Sequence, residues 1–221
     1  MPRLAALQDR LWAEARRSVL VVLQGIDASG KDGTIKHVFR GVNPQGVRVA
    51  AFKEPTPAER AHDFLWRVHQ HVPAAGEIGI FNRSHYEDVI VPRVHALEPA
   101  AVLHTRYDDI LAFERLLHNG GTAVVKLLLH ISFDEQGRRL AERLERPDKR
   151  WKMGPTDVAE RQRWDSYQEA FEEMVARTST DEAPWFVVPA DHKWFRNWVV
   201  GEILLDVLGR LDPKYPPGPS R

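Results

Sequence analysis

The stretch VVLQGIDASGKDGT, residues 21–34, decides the fold. Within it, residues 25–31 follow the spacing G-x-x-x-x-G-K, which is typical of a loop that binds phosphate groups. An apolar run precedes this phosphate loop and a helical pattern follows it, so backbone N–H groups and a helix N-terminus would point at an anion. The glycines permit the required backbone angles, and Lys31 supplies a positive charge. The residues expected to contact phosphate are Gly25, Ala28, Ser29, Gly30, Lys31, Asp32, Gly33 and Thr34.

Two carboxylates distinguish this loop from the usual pattern. Asp32 stands where a Ser or Thr normally follows the lysine, and Asp27 lies inside the loop. A first-turn acid such as Asp32 can simply complement the helix dipole, an effect of about 0.3–1 kcal/mol. Asp27 has no such explanation, and two carboxylates without a cation between them would repel a bound polyanion. Because Mg²⁺ binds carboxylate and phosphate oxygens together, we predict that Asp27 and Asp32 organise a metal ion.

Short apolar runs rich in β-branched residues alternate with amphipathic stretches along the chain. The predicted strands lie at 18–24, 46–52, 77–82, 122–131 and 184–190. The predicted helices lie at 32–40, 58–71, 85–96, 106–118, 134–145, 157–176 and 193–211, with a short amphipathic helix in the first 17 residues. Strands without polar alternation are typical of a parallel sheet that is covered on both faces. We therefore expect an α/β fold, with a wound parallel sheet of about five strands between helices.

Composition excludes several function classes. Lys plus Arg and Asp plus Glu each number 31 among 221 residues, so no overall positive field favours nucleic acid. The absence of cysteine excludes disulfides and thiolate metal ligands. No apolar run approaches the roughly 20 residues that span a bilayer, and the start of the chain lacks the apolar core of a signal peptide. We expect a cytoplasmic protein without nucleic-acid or membrane partners, and one domain over residues 1–221 that ends in a loose Pro-rich tail at about 212–221.

A second polar cluster, RSHYEDVIVPRVH at residues 83–95, directly follows the third predicted strand. Ligands of open α/β sheets bind beyond the carboxyl ends of the strands, so Arg83 should emerge beside the phosphate loop and bind phosphate. Glu87 and Asp88 lie in the first turn of the helix that follows. Acids at this position can also simply complement the helix dipole. A chemical role for Glu87 or Asp88 and a purely electrostatic role both stay open.

Residues 138–163 form a basic segment, with nine basic and five acidic residues in an otherwise neutral chain. Much of this charge can pair on helix surfaces, as Glu142 can with Arg146. The centre of the segment is interrupted by Pro and Gly, and the basic residues crowded there are Arg146, Lys149, Arg150 and Lys152. Such a basic loop between helices can close over phosphates and exclude water, so we predict a lid at about 146–161. An ordinary surface loop and a nucleic-acid contact are the alternatives, although no nucleic-acid motif accompanies the segment.

Four segments together resemble the polyphosphate kinase 2 family: GIDASGKDGT (25–34), FNRSHYEDVIVPRVH (81–95), ERPDKRWKMGPTD (145–157) and APWFVVPADHKWFRNW (183–198). The second segment is most similar to class III, whose members phosphorylate AMP as well as ADP. The resemblance implies a three-layer α/β/α P-loop-kinase-like fold with a helical lid. It also implies a Mg²⁺-dependent, reversible transfer of the terminal phosphoryl group of inorganic polyphosphate to AMP or ADP. Mn²⁺ as a substitute metal, guanine nucleotides as further substrates and a homodimer or homotetramer complete the implied picture.

The resemblance also implies roles for individual residues. Asp27 would organise the metal and the accepting phosphate, Asp32 would help to hold the metal, and Lys31 would grip phosphates. Glu87 stands where class I members tend to carry Asn, which indicates use of AMP. The implied catalytic residues are Asp27, Lys31, Arg83, Glu87 and Arg93. The implied nucleotide ligands are Arg83, Tyr86, Glu87, Asp88 and Arg93. The implied lid contacts are Lys149 and Arg150, and the residues expected near the site are Asp191, Lys193 and Arg196.

Two other functions remain open from the sequence. An ATP-dependent nucleoside or nucleoside-monophosphate kinase would use the same fold, but its loop would carry Ser or Thr where this chain has Asp32. A non-catalytic polyphosphate-binding module would need the basic segment but would have no use for a metal-binding acid pair. The two loop carboxylates therefore favour an enzyme that brings two polyanions together.

Overall fold

The computed structural model of the chain describes residues 2–151, 154 and 157–218. Its strands are β1 (Ser18–Gln24), β2 (Val47–Ala51), β3 (Ile78–Asn82), β4 (Thr122–His130) and β5 (Trp185–Pro189). Its helices are α1 (Pro2–Glu14), α2 (Lys31–Val38), α3 (Pro57–Arg60), α4 (Trp66–His69), α5 (Glu87–Val94), α6 (Ala100–Asn119), α7 (Phe133–Glu145), α8 (Pro147–Arg150), α9 (Asp157–Gln162), α10 (Trp164–Thr178) and α11 (Lys193–Leu211), with a 3₁₀ turn at Pro44–Gly46.

The five strands form one sheet in the order β2-β3-β1-β4-β5, and all neighbouring strands are parallel. β1 lies at the centre, and all seven of its residues are buried. Helix α11 packs on β4 and β5 with α1 and α2 beside it, whereas α6 packs on β4 with α5 and α10 beside it. Helices therefore cover the sheet on both faces, which gives a three-layer α/β/α arrangement.

The structure confirms the five predicted strands to within one residue at each end. The single helix predicted at 58–71 is wrong, because the chain there forms α3 and α4 with a turn between them. At this turn a carboxylate oxygen of Asp63 accepts the N–H of Leu65 at 3.0 Å, which interrupts the helix. The helix predicted at 157–176 is likewise divided into α9 and α10, since Arg163 leaves the helical conformation at φ −92° and ψ 19°.

Helix α5 carries the second polar cluster and contains Pro92 in its interior. Proline has no N–H, so the carbonyl of Asp88, four residues earlier, loses its helical hydrogen bond. Arg106 on α6 replaces that bond, because its Nη1 donates to the Asp88 carbonyl oxygen at 2.7 Å. The same guanidinium bonds Glu98 at 2.7 Å. A side chain of the neighbouring helix thus fixes α5 in place.

The carboxyl ends of the parallel strands gather the predicted site residues at one edge of the sheet. The phosphate loop follows β1, Arg83 follows β3, and Asp191 follows β5. The N–H of Arg83 donates to the carbonyl of Leu23 in β1 at 3.1 Å, which ties the end of β3 to the strand that leads into the loop. Strand order therefore brings together two clusters that are more than 50 residues apart in sequence.

The peripheral segments are described in part. The predicted lid includes α8 and α9, while residues 152, 153, 155 and 156, among them the basic Lys152, lie outside the described residues. In the predicted tail, residues 212–218 form no helix or strand, and the Tyr215 hydroxyl donates to Asp9 at 2.8 Å. Among the described residues, no helix is long and apolar enough to cross a bilayer.

Candidate active site

The phosphate loop adopts a backbone that few residues other than glycine tolerate. Gly25 and Gly30 have φ of 145° and 104°, and Ala28 between them has φ of 65°. A left-handed backbone costs an alanine about 1–2 kcal/mol, so the surrounding structure must hold Ala28 in this conformation. Gly30 is the N-cap of α2, whose first-turn N–H groups have no acceptor within the helix. The strand, the loop and the helix follow one another as the sequence predicts, and contact of this loop with phosphate stays a prediction.

Lys31 lies inside the loop, with only 8% of its surface exposed. Its Nζ donates to the carbonyl of Gly25 at 2.6 Å and contacts that of Ile26 at 3.4 Å. Burial lowers the pKa of Lys31, while the negative charge of Asp27 opposes this change. The ammonium group is thus held at the centre of the loop, where it can transfer its hydrogen bonds to a phosphoryl oxygen.

Asp27 pairs with Arg83 across the gap between the two clusters. Nη2 of Arg83 donates to Oδ1 of Asp27 at 2.7 Å, and both side chains are a little more than one third exposed. Burial alone would raise the pKa of Asp27, but the positive charges of Lys31 and Arg83 outweigh it and lower that pKa. Arg83 has φ of 62°, a strained conformation for a residue with a side chain. The structure therefore brings Asp27, Lys31 and Arg83 together.

The two loop acids fit a divalent cation. Asp32 is exposed and accepts a hydrogen bond from Nδ2 of Asn82 at 2.8 Å, which orients its carboxylate at the end of β3. Among the described residues there is no cluster of three or more His, Asp or Glu side chains that could enclose a metal ion. Mg²⁺ suits such a sparse donor set, since it binds through one or two carboxylates and takes its other ligands from phosphate and water.

Tyr86, Glu87 and Asp88 follow one another at the start of α5, and all three are predicted to bind the nucleotide. Neighbouring side chains on a helix point about 100° apart, so only one of the three can face the phosphate loop. Glu87 is that residue: its carboxylate lies 3.5 Å from Nη1 of Arg83. Burial raises the pKa of Glu87, although the charges of Arg83 and Lys31 act in the opposite direction. Asp88 instead bonds Nη2 of Arg67 on α4 at 2.9 Å.

Tyr86 is fully buried, which contradicts the prediction that it contacts a nucleotide. Its hydroxyl donates to Glu114 on α6 at 2.7 Å, and Glu114 also pairs with Lys126 of β4 at 2.6 Å. Burial raises the pKa of the Tyr86 hydroxyl, and the charge of Glu114 raises it further. Tyr86 therefore belongs to a buried polar cluster between the helices and the sheet, and its bond to Glu114 holds the start of α5 against α6.

Three other predicted ligands have partners away from the loop. The guanidinium of Arg93 pairs with Glu173 on α10. Lys149 bonds Glu142 at 2.7 Å, and Nε of Arg150 donates to the carbonyl of Leu144 at 3.0 Å. The structure does not bring these three side chains to the phosphate loop, so their contacts with substrate stay predictions.

Two polar side chains of the predicted loop also face inward. The Thr34 hydroxyl is buried and donates to the carbonyl of Gly30 at 3.2 Å. Ser29 is fully buried, and its Oγ has no hydrogen-bond partner among the described residues. Its N–H bonds the carbonyl of Ile26 at 3.1 Å. Both residues shape the loop from within.

Helix α7 contributes residues that the sequence analysis did not single out. Gln136 donates to the carbonyl of Asp27 at 3.2 Å, Arg139 donates to the carbonyls of Ala28 and Ser29, and the charge of Arg143 lowers the pKa of Asp27. These positions are three and four residues apart and so share one helix face. That spacing, in a helix predicted to precede the lid, is the signal that could have identified them.

Tyr167 on α10 is a further residue near the site. Burial raises its pKa, a hydrogen bond to Glu160 at 2.7 Å and that carboxylate's charge raise it further, and the charges of Glu87 and Asp27 add to the effect. The contact of the Tyr167 hydroxyl is with Glu160, and the two acids of the site act on it through their charge alone. Nothing in its sequence surroundings distinguishes it from a tyrosine of an amphipathic helix.

Comparison with known proteins gives a consistent result. The sequence profile of the family described as "Polyphosphate kinase 2" matches residues 2–215. A Meiothermus ruber protein named "AMP/ADP-polyphosphate phosphotransferase" is 56% identical over 214 residues, which cover 97% of this chain and 80% of the relative. A Rhodopseudomonas palustris protein named "ADP-polyphosphate phosphotransferase" is 43% identical over 226 residues, which cover 97% of this chain and 78% of the relative.

The fold comparison agrees with the sequence comparison. The crystal structure of polyphosphate kinase 2 from Arthrobacter aurescens TC1 is similar to the whole chain, with a TM-score of 0.97 and 46% sequence identity. The match covers 100% of this chain and 79% of that structure. Similarity at this level extends to the entire described architecture, including the elements that carry the site.

Proposed function

The chain belongs to the polyphosphate kinase 2 family, and from this membership we propose that it transfers the terminal phosphoryl group of inorganic polyphosphate to AMP or ADP, reversibly. The observation that carries the proposal is the arrangement of Asp27, Lys31 and Arg83 at one strand edge. Carboxylate and cationic groups meet there, with Asp27 and Lys31 from the loop that we propose binds phosphate and Arg83 from the end of β3. Such a site suits the approach of one polyanion to another.

The protein groups act by position and charge. Phosphoryl transfer needs little covalent chemistry from the enzyme, but it needs donor and acceptor held in line and charge on the equatorial oxygens cancelled. Lys31 and Arg83 would bind those oxygens, together with the N–H groups of the loop and of the first turn of α2. An acceptor phosphate is already anionic, so the site requires no general base.

Asp27 and Asp32 would hold a divalent cation, which we take to be Mg²⁺, with Mn²⁺ as a substitute. When bound, the metal would neutralise charge on donor and acceptor phosphates and so reduce their mutual repulsion. Arg83 keeps Asp27 ionised and directs its carboxylate, and Asn82 directs that of Asp32 through a neutral hydrogen bond. The carboxylates are thus oriented by neighbours that do not compete for the metal.

We assign acceptor choice to Glu87. Its carboxylate is partly buried beside Arg83, so it can set how far that guanidinium reaches toward a short acceptor such as AMP. Arg93, Lys149 and Arg150 would join the substrate by exchanging their present partners. Guanine nucleotides as further acceptors, a homodimer or homotetramer as the assembly and the cytoplasm as the location are parts of the same proposal.

The test is an assay of the purified chain with AMP, ADP, GMP or GDP, Mg²⁺ and polyphosphate, in the absence of ATP. We expect ATP from ADP and ADP followed by ATP from AMP, measured by chromatography. Omission of polyphosphate and addition of a chelator are the controls, and each should abolish product. A protein that phosphorylates AMP only when ATP is supplied would instead be a nucleoside-monophosphate kinase. A protein that binds polyphosphate without forming any product would be a binding module.

A further inference from the structure

Every carbonyl group of the phosphate loop from Gly25 to Gly30 accepts a hydrogen bond from a side chain, and those from Asp27 to Gly30 accept it from residues other than Lys31. The donors in chain order are Lys31 to Gly25 and Ile26, Gln136 to Asp27, Arg139 to Ala28, Arg139 and Arg196 to Ser29, and Thr34 to Gly30. Carbonyls that are held toward the protein leave the opposite side of the loop to N–H groups. The direction of the loop is therefore set by side chains, several of which come from distant elements.

Arg139 makes two of these bonds and also bonds the end of β5. It is 6% exposed, and its Nη1 donates to the carbonyls of Ala28 and Ser29 at 3.0 and 3.1 Å. Its Nη2 donates to the carbonyls of Ala190 and Asp191 at 2.6 and 2.8 Å. One guanidinium thus joins α7, the phosphate loop and the end of β5, and it holds the carbonyl of the strained Ala28.

Arg196 supports the loop from α11. It is 3% exposed, and its Nη1 donates to the carbonyl of Ser29 at 3.1 Å. A β-carbon added to Gly30 would lie 1.9 Å from the same Nη1, so the guanidinium occupies the space directly behind the loop. Among the described residues Arg196 pairs with no carboxylate, and its other acceptor is Oδ1 of Asn197 at 2.9 Å.

Among the described residues, Arg196 places a positive charge without a carboxylate partner behind the phosphate loop, whereas Arg139 pairs with Glu135 at 2.7 Å. Burial lowers the pKa of Arg196 to about 10, and repulsion by Arg139 contributes to this decrease. A buried cation without a carboxylate partner is costly in the free protein. A bound polyanion on the other side of the loop would offset that cost.

We propose that Arg139 and Arg196 are positioning residues for phosphoryl transfer, which fix the loop carbonyls away from the substrate and favour a polyanion by their charge. The proposal rests on the phosphate-binding role proposed above. Neither guanidinium needs to touch substrate, because both act through the backbone of Ala28 and Ser29. Arg139 also makes the loop geometry depend on the helix that leads into the lid.

The experiment compares Arg139→Met, Arg139→Lys and Arg196→Gln with the wild-type chain. For each variant, kcat and the two KM values are measured at a temperature well below unfolding. We expect kcat to fall about 10- to 100-fold, as for residues that orient a reacting group, with a smaller change in the nucleotide KM. Arg139→Lys should recover little, since one ammonium group cannot reach four carbonyls.

Arg138→Met is the matched control. Arg138 is adjacent in sequence and pairs with Glu135, which Arg139 also bonds, but its side chain is 59% exposed. We expect kcat within about twofold of wild type for this variant. A purely structural role for Arg139 predicts a lower unfolding temperature with normal kcat in the folded protein, and that result would overturn the proposal.

A binding measurement keeps the proposal testable apart from activity. Tripolyphosphate with Mg²⁺ should raise the unfolding temperature of the wild-type chain, and this increase should shrink in Arg139→Lys and Arg196→Gln. If the wild type shows the increase but transfers no phosphoryl group, the proposed function fails while the positioning role is still tested by binding. If Arg139→Met does not fold, the other two variants decide. A folded variant at either position with kcat and ligand-induced increase both within twofold of wild type would refute the role.

Discussion

The middle of helix α7 and the segment that follows the helix differ in the surroundings of their basic residues. At the middle of α7, Arg139 is buried and bonds four backbone carbonyls of the phosphate loop and the end of β5. Beyond its end, Arg146 and Lys149 lie in or near solvent and share the carboxylate of Glu142. Lys193 approaches the same carboxylate at 3.9 Å. One helix thus leads from a fixed guanidinium to a group of exchangeable cations.

The difference shows how one helix can fix the shape of the loop and still leave nearby cations able to change partners. Exposed ion pairs contribute little to stability, because water screens them, so the basic residues of the predicted lid could leave Glu142 for phosphate at low cost. Bonds from a buried guanidinium to carbonyls have no such replacement. Arg139 can therefore shape the loop before substrate arrives, whereas Lys149 can respond to it.

The largest effect should come from the loop itself. Asp27→Asn keeps the shape of the side chain but removes the charge that organises the metal, so we expect kcat to fall about 1000-fold or more with the fold unchanged. The matched lid variant is Asp148→Asn, which removes an exposed carboxylate paired with Arg146 and should leave kcat within about twofold. Steady-state kinetics and circular dichroism check both. Near-normal turnover of the Asp27→Asn variant would exclude the metal role.

A second prediction compares the loss of a buried ion pair with the loss of an exposed one, both outside the site. Lys126 and Glu114 pair at 2.6 Å and are 0% and 4% exposed, so Lys126→Met leaves a buried carboxylate without its cation. We expect a loss of about 3–5 kcal/mol in the free energy of unfolding, measured with urea. Arg210→Met removes an exposed partner of Asp206 and should leave the urea midpoint unchanged. Equal effects of the two variants would contradict the assigned difference in burial.

The same pair predicts how stability depends on pH. Burial alone would raise the pKa of Glu114, but the hydrogen bond from His85 and the charge of Lys126 outweigh it and lower that pKa below 4.5. A carboxylate with a lowered pKa contributes stability above its unfolded value, and this contribution is lost as pH falls through the folded value. In wild type the urea midpoint should therefore fall below pH 4.5, and Glu114→Gln should reduce that dependence.

The lid end can be tested in both directions. Lys149→Met removes a cation predicted to meet polyphosphate and should raise the polyphosphate KM about 3- to 10-fold, with a smaller change in kcat. Glu142→Gln releases the basic residues that now share this carboxylate and should lower the same KM about twofold. Kinetics at two salt concentrations check the prediction, since both effects should weaken in high salt. An unchanged KM in both variants would mean that these cations do not meet the substrate.

The smallest expected effect concerns Glu87. Burial raises its pKa, so this carboxylate gains a proton at a higher pH than an exposed glutamate does. Protonation would end its pairing with Arg83, so kcat/KM should fall at acidic pH as the group titrates. Glu87→Gln cannot titrate, and the acid limb of its pH–rate profile should move to lower pH. The same variant should change the ratio of AMP to ADP use, and an unchanged ratio would remove Glu87 from acceptor choice.

The sequence predicted the features that depend on local patterns. The five strands, the loop at residues 25–31 and the position of Arg83 follow from apolar runs, glycine spacing and strand order, and the structure contains all of them. The prediction for Tyr86 is wrong because strand order alone does not fix the rotation of α5 about its axis. That rotation depends on long-range partners, such as Glu114 behind Tyr86 and Arg106 at the carbonyl of Asp88.

The residues that were missed act through the backbone. Gln136 and Arg139 bond loop carbonyls that are more than 100 residues away in sequence. Every residue has a backbone carbonyl, so the residue type does not indicate which carbonyls accept a side-chain hydrogen bond. Residue types near the loop therefore predicted which residues bind phosphate, but they could not predict which distant side chains bond the loop carbonyls. A helix face with Gln136, Arg139 and Arg143 in register was the available signal, since it places polar groups on the side that should be apolar.

The residue that fills the space behind Gly30 determines when the phosphate loop can fold during synthesis of the chain. That space is filled by Arg196 of α11, the last helix of the described chain, and the loop is also held by Arg139, which bonds the end of β5. A nascent chain would expose the glycine-rich segment long before these two arginines leave the ribosome. We therefore expect the anion-binding geometry to form late in synthesis, so that a chain truncated before α11 retains the loop sequence without a working phosphate site.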